Sequence, residues 1–169
     1  MLTLQDFPKY EAIHAMVRRY SDIEPAAVEV FLVLLRLSRD LMAAGETHLA
    51  RHGMSVGRFT VLMLLNREPD IGVSPSQLAD RSGVTRATMT GLLDGLERDG
   101  FITREHDSDD RRGMTVRLTP ASQEFFDRML PDHFRRIEAV TANLSENEKK
   151  NLIRLLAKVD AGISALRDP

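Results

Sequence analysis

Residues 74–119 read SPSQLADRSGVTRATMTGLLDGLERDGFITREHDSDDRRGMTVRLT. Ser74 is a good helix cap, Pro75 suits the first helical position, and Gln77 stands three residues after the cap, which makes a capping box. Leu78 and Ala79 give this short helix its apolar side. Gly83, free to take positive φ, closes it. Thr85 then caps a second helix. There Met89, Leu92, Leu93 and Leu96 recur at three-to-four spacing and form one core-facing stripe. Gly100 ends that helix. Phe101-Ile102-Thr103-Arg104 and Met114-Thr115-Val116-Arg117-Leu118 are short strand-like runs on either side of a polar tip, HDSDDRRG.

Helix, turn, helix and wing together make a winged helix-turn-helix, whose usual use is DNA binding. The order of residues 78–119 resembles the DNA-binding part of the MarR family of bacterial transcription regulators. The wing run Asp107-Ser108-Asp109-Asp110-Arg111-Arg112, followed by Val116-Arg117-Leu118-Thr119, reproduces that family's D-x-x-D-R-R wing and v-x-L-T exit. The resemblance covers roughly residues 28–165. It implies a homodimer joined through N- and C-terminal helices, with the two winged lobes spread beneath. It also implies that Arg112 enters the minor groove while Asp110 holds its pose. A sequence-specific repressor that blocks polymerase and responds to a small organic acid, phenol or other aromatic effector is the family's usual outcome.

Composition agrees with one domain. The chain has 169 residues and 43% hydrophobic content, enough to bury a real core. No apolar run approaches the ~18 residues of a membrane span. The opening MLTLQDFPKYEAIH has acids early and no apolar signal core, so cytoplasmic residence is expected. There is no cysteine, hence no disulfide framework and no thiol sensor. A formal net charge of −2 counts mildly against a nucleic-acid binder, so DNA attraction has to come from local placement of arginine.

Outward from the centre, helices dominate. Residues 1–24 form an N-terminal extension with one short helix, opened by Pro8 and carrying Ile13, Met16, Val17 and Tyr20 on one side. A long helix is expected over about 25–52, apolar nearly all round from Val30 to Leu37, so it needs cover on more than one side. Gly53 ends it. Ser55 caps the next helix, in which Phe59, Leu62, Met63 and Leu65 are the expected core set. Residues 68–73 read as a loop. After the wing, Thr119-Pro120 repeats the cap-plus-proline start and opens a helix to about residue 142, which Pro131 should kink. Ser145 and Glu148 form a second capping box before a last helix that carries residues from Leu152 to Leu166. The fold class is mainly α with a small β-wing. The whole chain, 1–169, is one MarR-like domain. Its winged lobe occupies about 55–119, and helices at about 25–52 and 120–166 serve dimerisation.

The second helix of the motif carries the expected DNA contacts. With its apolar stripe turned inward, Arg86, Ala87, Thr90, Gly91 and Asp94 face outward. Arg86 sits at the helix N-terminal end, where a guanidinium can bind guanine O6 and N7. Thr90 offers a hydroxyl and a methyl one turn on. Thr85 and Thr88 suit backbone-phosphate contacts or caps, and a carboxylate at Asp94 would be repelled by phosphate. Arg112 in the wing suits a narrow A·T-rich minor groove, where negative potential is enhanced. Arg111 is then a phosphate contact or a brace. The wing's mixed charge means that its arginines must be aimed.

His48, Arg51, His52, Arg58 and Phe59 are candidate effector residues, because a cation plus a ring suits an anionic aromatic ligand. His48 and His52 have a spacing a metal could use, but no nearby Cys or carboxylate set completes a site. No metal or cofactor is expected. Nucleophile elbow, Gly-rich phosphate loop and zinc-ligand cluster are all missing, so an enzyme is not expected. The alternative is a winged helix used only as a protein–protein module, against which Arg86 and the Asp110/Arg112 pair argue.

Overall fold

The computed structural model describes residues 24–69, 71–106 and 114–166, together with Ala15 and Arg19. Pro8, Ile13, Met16, Val17 and Tyr20 of the expected leader helix lie outside the described residues. In chain order the elements are α1 (Pro25–Ala50), α2 (Val56–Leu65), α3 (Pro75–Ser82), α4 (Arg86–Arg98), β1 (Ile102–His106), β2 (Met114–Leu118), α5 (Pro120–Val140) and α6 (Glu146–Ala161). A 3-10 turn, Ile163–Leu166, follows. The mainly α fold with one small ribbon is as the sequence predicts. Among the described residues no helix is long and apolar enough to cross a membrane.

The chain divides into two compact units, Met1–Leu64 and Leu65–Pro169. In the first, α1 starts at Pro25 without a side-chain cap, so the proline sets the start. It ends in a tight turn at Gly53, φ +68°, and the Met54 amide donates back to the Leu49 carbonyl at 3.1 Å. Leu49 and Met54 are buried. The middle of α1 is not: Val30, Phe31, Val33, Leu35 and Leu37 remain 39% to 52% exposed. Ser55 caps α2 by accepting from the Arg58 amide at 3.3 Å. The core set predicted for this helix needs correction. Val61, Leu62 and Leu64 are buried, as is Leu65, whereas Phe59 and Met63 are only half-buried. A helix this apolar has no single stripe, so periodicity misassigns its inner side.

The second unit holds the motif. The α3 capping box is made in full: the Gln77 amide donates to Ser74 Oγ at 3.3 Å, and the Ser74 amide to Gln77 Oε1 at 3.0 Å. Gly83, φ +67°, ends the helix as expected. Strands β1 and β2 pair antiparallel, with Ile102 opposite Leu118 and Arg104 opposite Val116. The 68–73 run ends in more than a loop, because Val73 bridges Val116 through two backbone bonds of 3.2 and 2.9 Å. That approach needs glycine beside it. A Cβ on Gly72 would fall 1.8 Å from Thr115 Cγ2. Leu78, Met89, Leu93, Leu96, Ile102, Val116, Phe126 and Met129 of this unit are among the most deeply buried side chains.

Two terminal-helix expectations are corrected. Thr119 does not cap α5 with its side chain. Its hydroxyl donates to the Gly100 carbonyl at 2.6 Å, and its amide to the Phe101 carbonyl at 3.1 Å. The fully buried Ser122 hydroxyl also donates to the Phe101 carbonyl. The last helix stops at Ala161 rather than running to Leu166, because Gly162 weakens it and its amide bonds three residues back to Val159 at 2.9 Å. Helix α5 continues through Pro131 to Val140. The second capping box, Ser145 with Glu148, is present.

Candidate nucleic-acid interface

Helix α4 begins where Thr85 Oγ1 accepts from the Thr88 amide at 3.1 Å, so the cap role of Thr85 is observed. The Thr85 and Thr88 hydroxyls lie 2.9 Å apart and fix each other. One side of the helix buries Met89, Leu93, Gly95 and Leu96, with Leu92 half-buried. The opposite side leaves Thr85, Arg86, Ala87, Thr88, Thr90, Gly91 and Asp94 exposed. All five sequence-predicted contact residues on this motif are therefore exposed in the cap and first turns of the helix. The Thr90 hydroxyl donates to the Arg86 carbonyl at 3.0 Å. Its proton is thus committed, and what Thr90 shows outward is a methyl group and acceptor lone pairs.

Asp94 is not an idle carboxylate. Arg104 Nη2, on β1, donates to Asp94 Oδ1 at 2.6 Å, and Arg104 Nε lies 3.6 Å from Glu97 Oε2, an ion-pair distance. Sequence reading missed Arg104. The available signal was strand alternation: Arg104 is two residues from the buried Ile102, hence on the inward side, where a charge requires a partner. A second arginine, Arg117, pairs with Glu105 across the ribbon at 3.4 Å. Asp110, Arg111 and Arg112 lie outside the described residues, between the ends of β1 and β2.

The sequence profile of the MarR family matches residues 54–114, which span α2 to the start of β2. The HTH-type transcriptional repressor YetL of Bacillus subtilis (strain 168) is 38% identical over 167 residues, 99% of this chain and 100% of that protein. The chain belongs to the MarR family. Among solved structures, a MarR protein from Peptoclostridium difficile DA00132 superimposes with a TM-score of 0.68 at 23% identity, over 85% of this chain and 90% of that one. The MepR–DNA complex of S. aureus gives 0.67 at 19% identity, over 78% and 94%. Both similarities establish the shared MarR fold. The chain is a transcriptional regulator of the MarR type, and the relatives it matches are regulators rather than enzymes.

In this MarR-family chain the five effector candidates sit around the α1–α2 turn. His48 is half-buried in the last turn of α1, and Arg51 and His52 are exposed just beyond it. Arg58 and Phe59 are half-buried on the first turn of α2. The His48 and His52 rings meet edge to face with centroids 5.2 Å apart. An open hollow at the same turn is lined by Glu46, Ala50, Gly53, Met54 and neighbouring residues up to Gly57, and by none of the five candidates.

Proposed function

We propose that the protein is a cytoplasmic, homodimeric, sequence-specific repressor of a palindromic operator. In this reading the whole chain acts as one MarR-type domain, with α4 lying in the major groove. The observation that carries this reading is the division of α4, whose buried stripe faces the core while Thr85, Arg86, Ala87, Thr88 and Thr90 are all exposed. Arg86 is assigned to guanine and Thr90 to a base-edge donor or a thymine methyl. Thr85 and Thr88 are assigned to phosphate. In the wing, Arg112 is assigned to the minor groove, Asp110 to orienting it, and Arg111 to phosphate.

The homodimer is supported by the apolar faces left open on a single chain. Phe31 and Leu35 on α1, Phe134 and Ile137 on α5, and Leu152, Leu155, Leu156 and Val159 on α6 are all exposed. A monomer rarely tolerates so much apolar surface, and a second copy related by a two-fold axis would cover it. Two-fold protein symmetry then calls for half-sites about one helical turn apart. Repression is favoured by the name of the Bacillus subtilis relative. Release by a small anionic aromatic compound is assigned to His48, Arg51, His52, Arg58 and Phe59. The test is a gel shift on the DNA flanking the protein's own gene, with footprinting and added aromatic acids. A specific, two-fold footprint that such an acid dissolves is expected. No shift on that DNA, nor on any sequence from a randomised pool, would remove the DNA-binding reading.

A further inference from the structure

We propose that Arg104 is a positioning residue for DNA recognition, a tie that sets the pose of the recognition helix α4 against the wing ribbon. The inference rests on the DNA-binding reading above and adds a residue that touches no DNA.

Arg104 projects from β1 on the same side as Ile102, which is buried, and lies opposite the fully buried Val116. Its side chain is only 19% exposed. The guanidinium reaches α4 and spans two carboxylates on one edge of that helix: Asp94 at 2.6 Å and Glu97 at 3.6 Å. Positions three apart on a helix are neighbours, so one planar fork can engage both. Asp94 continues the exposed line of Arg86 and Thr90 at successive four-residue steps. The tie therefore joins the edge of the reading face to the strand that leads into the wing. The acids are exposed, so the pair adds little to folding stability. What it supplies is a fixed angle between two surfaces that must meet the same duplex in register, since contacts in one groove limit where the other element can lie.

Arg104→Met keeps the aliphatic stem and removes the fork. On the protein's footprinted or pool-selected DNA, this variant should lose specific affinity on the order of tenfold, comparable to one mismatched base pair. Affinity for unrelated DNA, which is set by phosphate attraction, should change much less, so the ratio of specific to non-specific binding falls. Arg104→Lys should recover part of that ratio. A loss of stability alone would leave the ratio unchanged. The double variant Asp94→Asn/Glu97→Gln cuts the tie from its exposed end and secures the test even if Arg104→Met folds poorly. On charge alone, removing two acids beside DNA should strengthen binding; the tie predicts a lower specificity ratio instead. A wild-type ratio in Arg104→Met or in the double variant overturns the proposal while DNA binding by the wild type stands. So does a drop of about one in the salt slope of Arg104→Met, the mark of a lost phosphate contact. Failure of the wild type to bind any DNA overturns the DNA-binding reading and this proposal with it.

Discussion

The proposed reading assigns Arg86 and Arg112 to different grooves, so their substitution should give different signatures. Arg86→Ala is expected to relax base preference at one position per half-site, at about 1–3 kcal/mol. A randomised-site selection reads this, and an unchanged preference removes Arg86 from direct readout. Arg112→Ala should weaken operator binding by about 1–3 kcal/mol while leaving the thermal melt and the dimer unchanged. Equal affinity at equal salt would end the minor-groove assignment. The outward face of α4 was legible because a helix repeats every 3.6 residues and the motif's apolar residues are unambiguous. Arg104 was not legible. Its partners stand ten and seven residues away on another element, and their meeting depends on how strand and helix pack.

Helix starts and stops were read well wherever a local hydrogen bond decides them. Ser74, Thr85 and Ser145 all cap as their sequences suggest. Thr119 escaped because its hydroxyl bonds a carbonyl nineteen residues back in sequence, which local pattern does not encode. Gly91 offers a test at this scale. It lies within exposed α4, and a Cβ there would meet nothing within 4 Å. Gly91→Ala should therefore stabilise the fold by about 1 kcal/mol in chemical denaturation. The same methyl group would stand on the reading face, so operator affinity should fall as stability rises.

The α6 cap gives a pH dependence. The Ser145 hydroxyl, with help from its amide, holds the Glu148 carboxyl below its usual 4.5. Because the folded value is the lower one, the cap is at full strength above 4.5 and is lost as pH falls through the folded value. Amide protection factors at the first turn of α6, taken relative to the intrinsic exchange rate at each pH, should fall only on that acid side. Glu148→Gln should flatten the dependence.

For the whole molecule, the expectation concerns association. Its apolar helices were legible as surfaces needing cover, since a run such as Val30 to Leu37 is apolar at every position but Arg36. The stop at Gly162 was missed because the apolar spacing continues past it. Coupled folding and dimerisation should make the melting temperature rise with protein concentration. Leu156 is 41% exposed on a single chain, so Leu156→Glu would be tolerated by a monomer. In a dimer core it would bury an unpaired carboxylate, and unfolded or aggregated protein is expected. Light scattering with a concentration series decides between the two. A folded wild-type monomer at micromolar concentration, with a melt independent of concentration, would sink the dimer and the palindromic operator together.

The bonds from Thr119 and Ser122 to the carbonyls of Gly100 and Phe101 join the two feet of the wing. Ile102 and Val116, close to these feet, belong to the core, so only the sequence of the tip between β1 and β2 is open to exchange. Lengthening such a loop is cheap, about 0.6 kcal/mol per doubling once its ends are held. Descendants of this chain can therefore rewrite the tip, in charge or in reach, without renegotiating the core beneath it. In the proposed DNA-binding reading, target choice can then drift at the wing faster than the scaffold does.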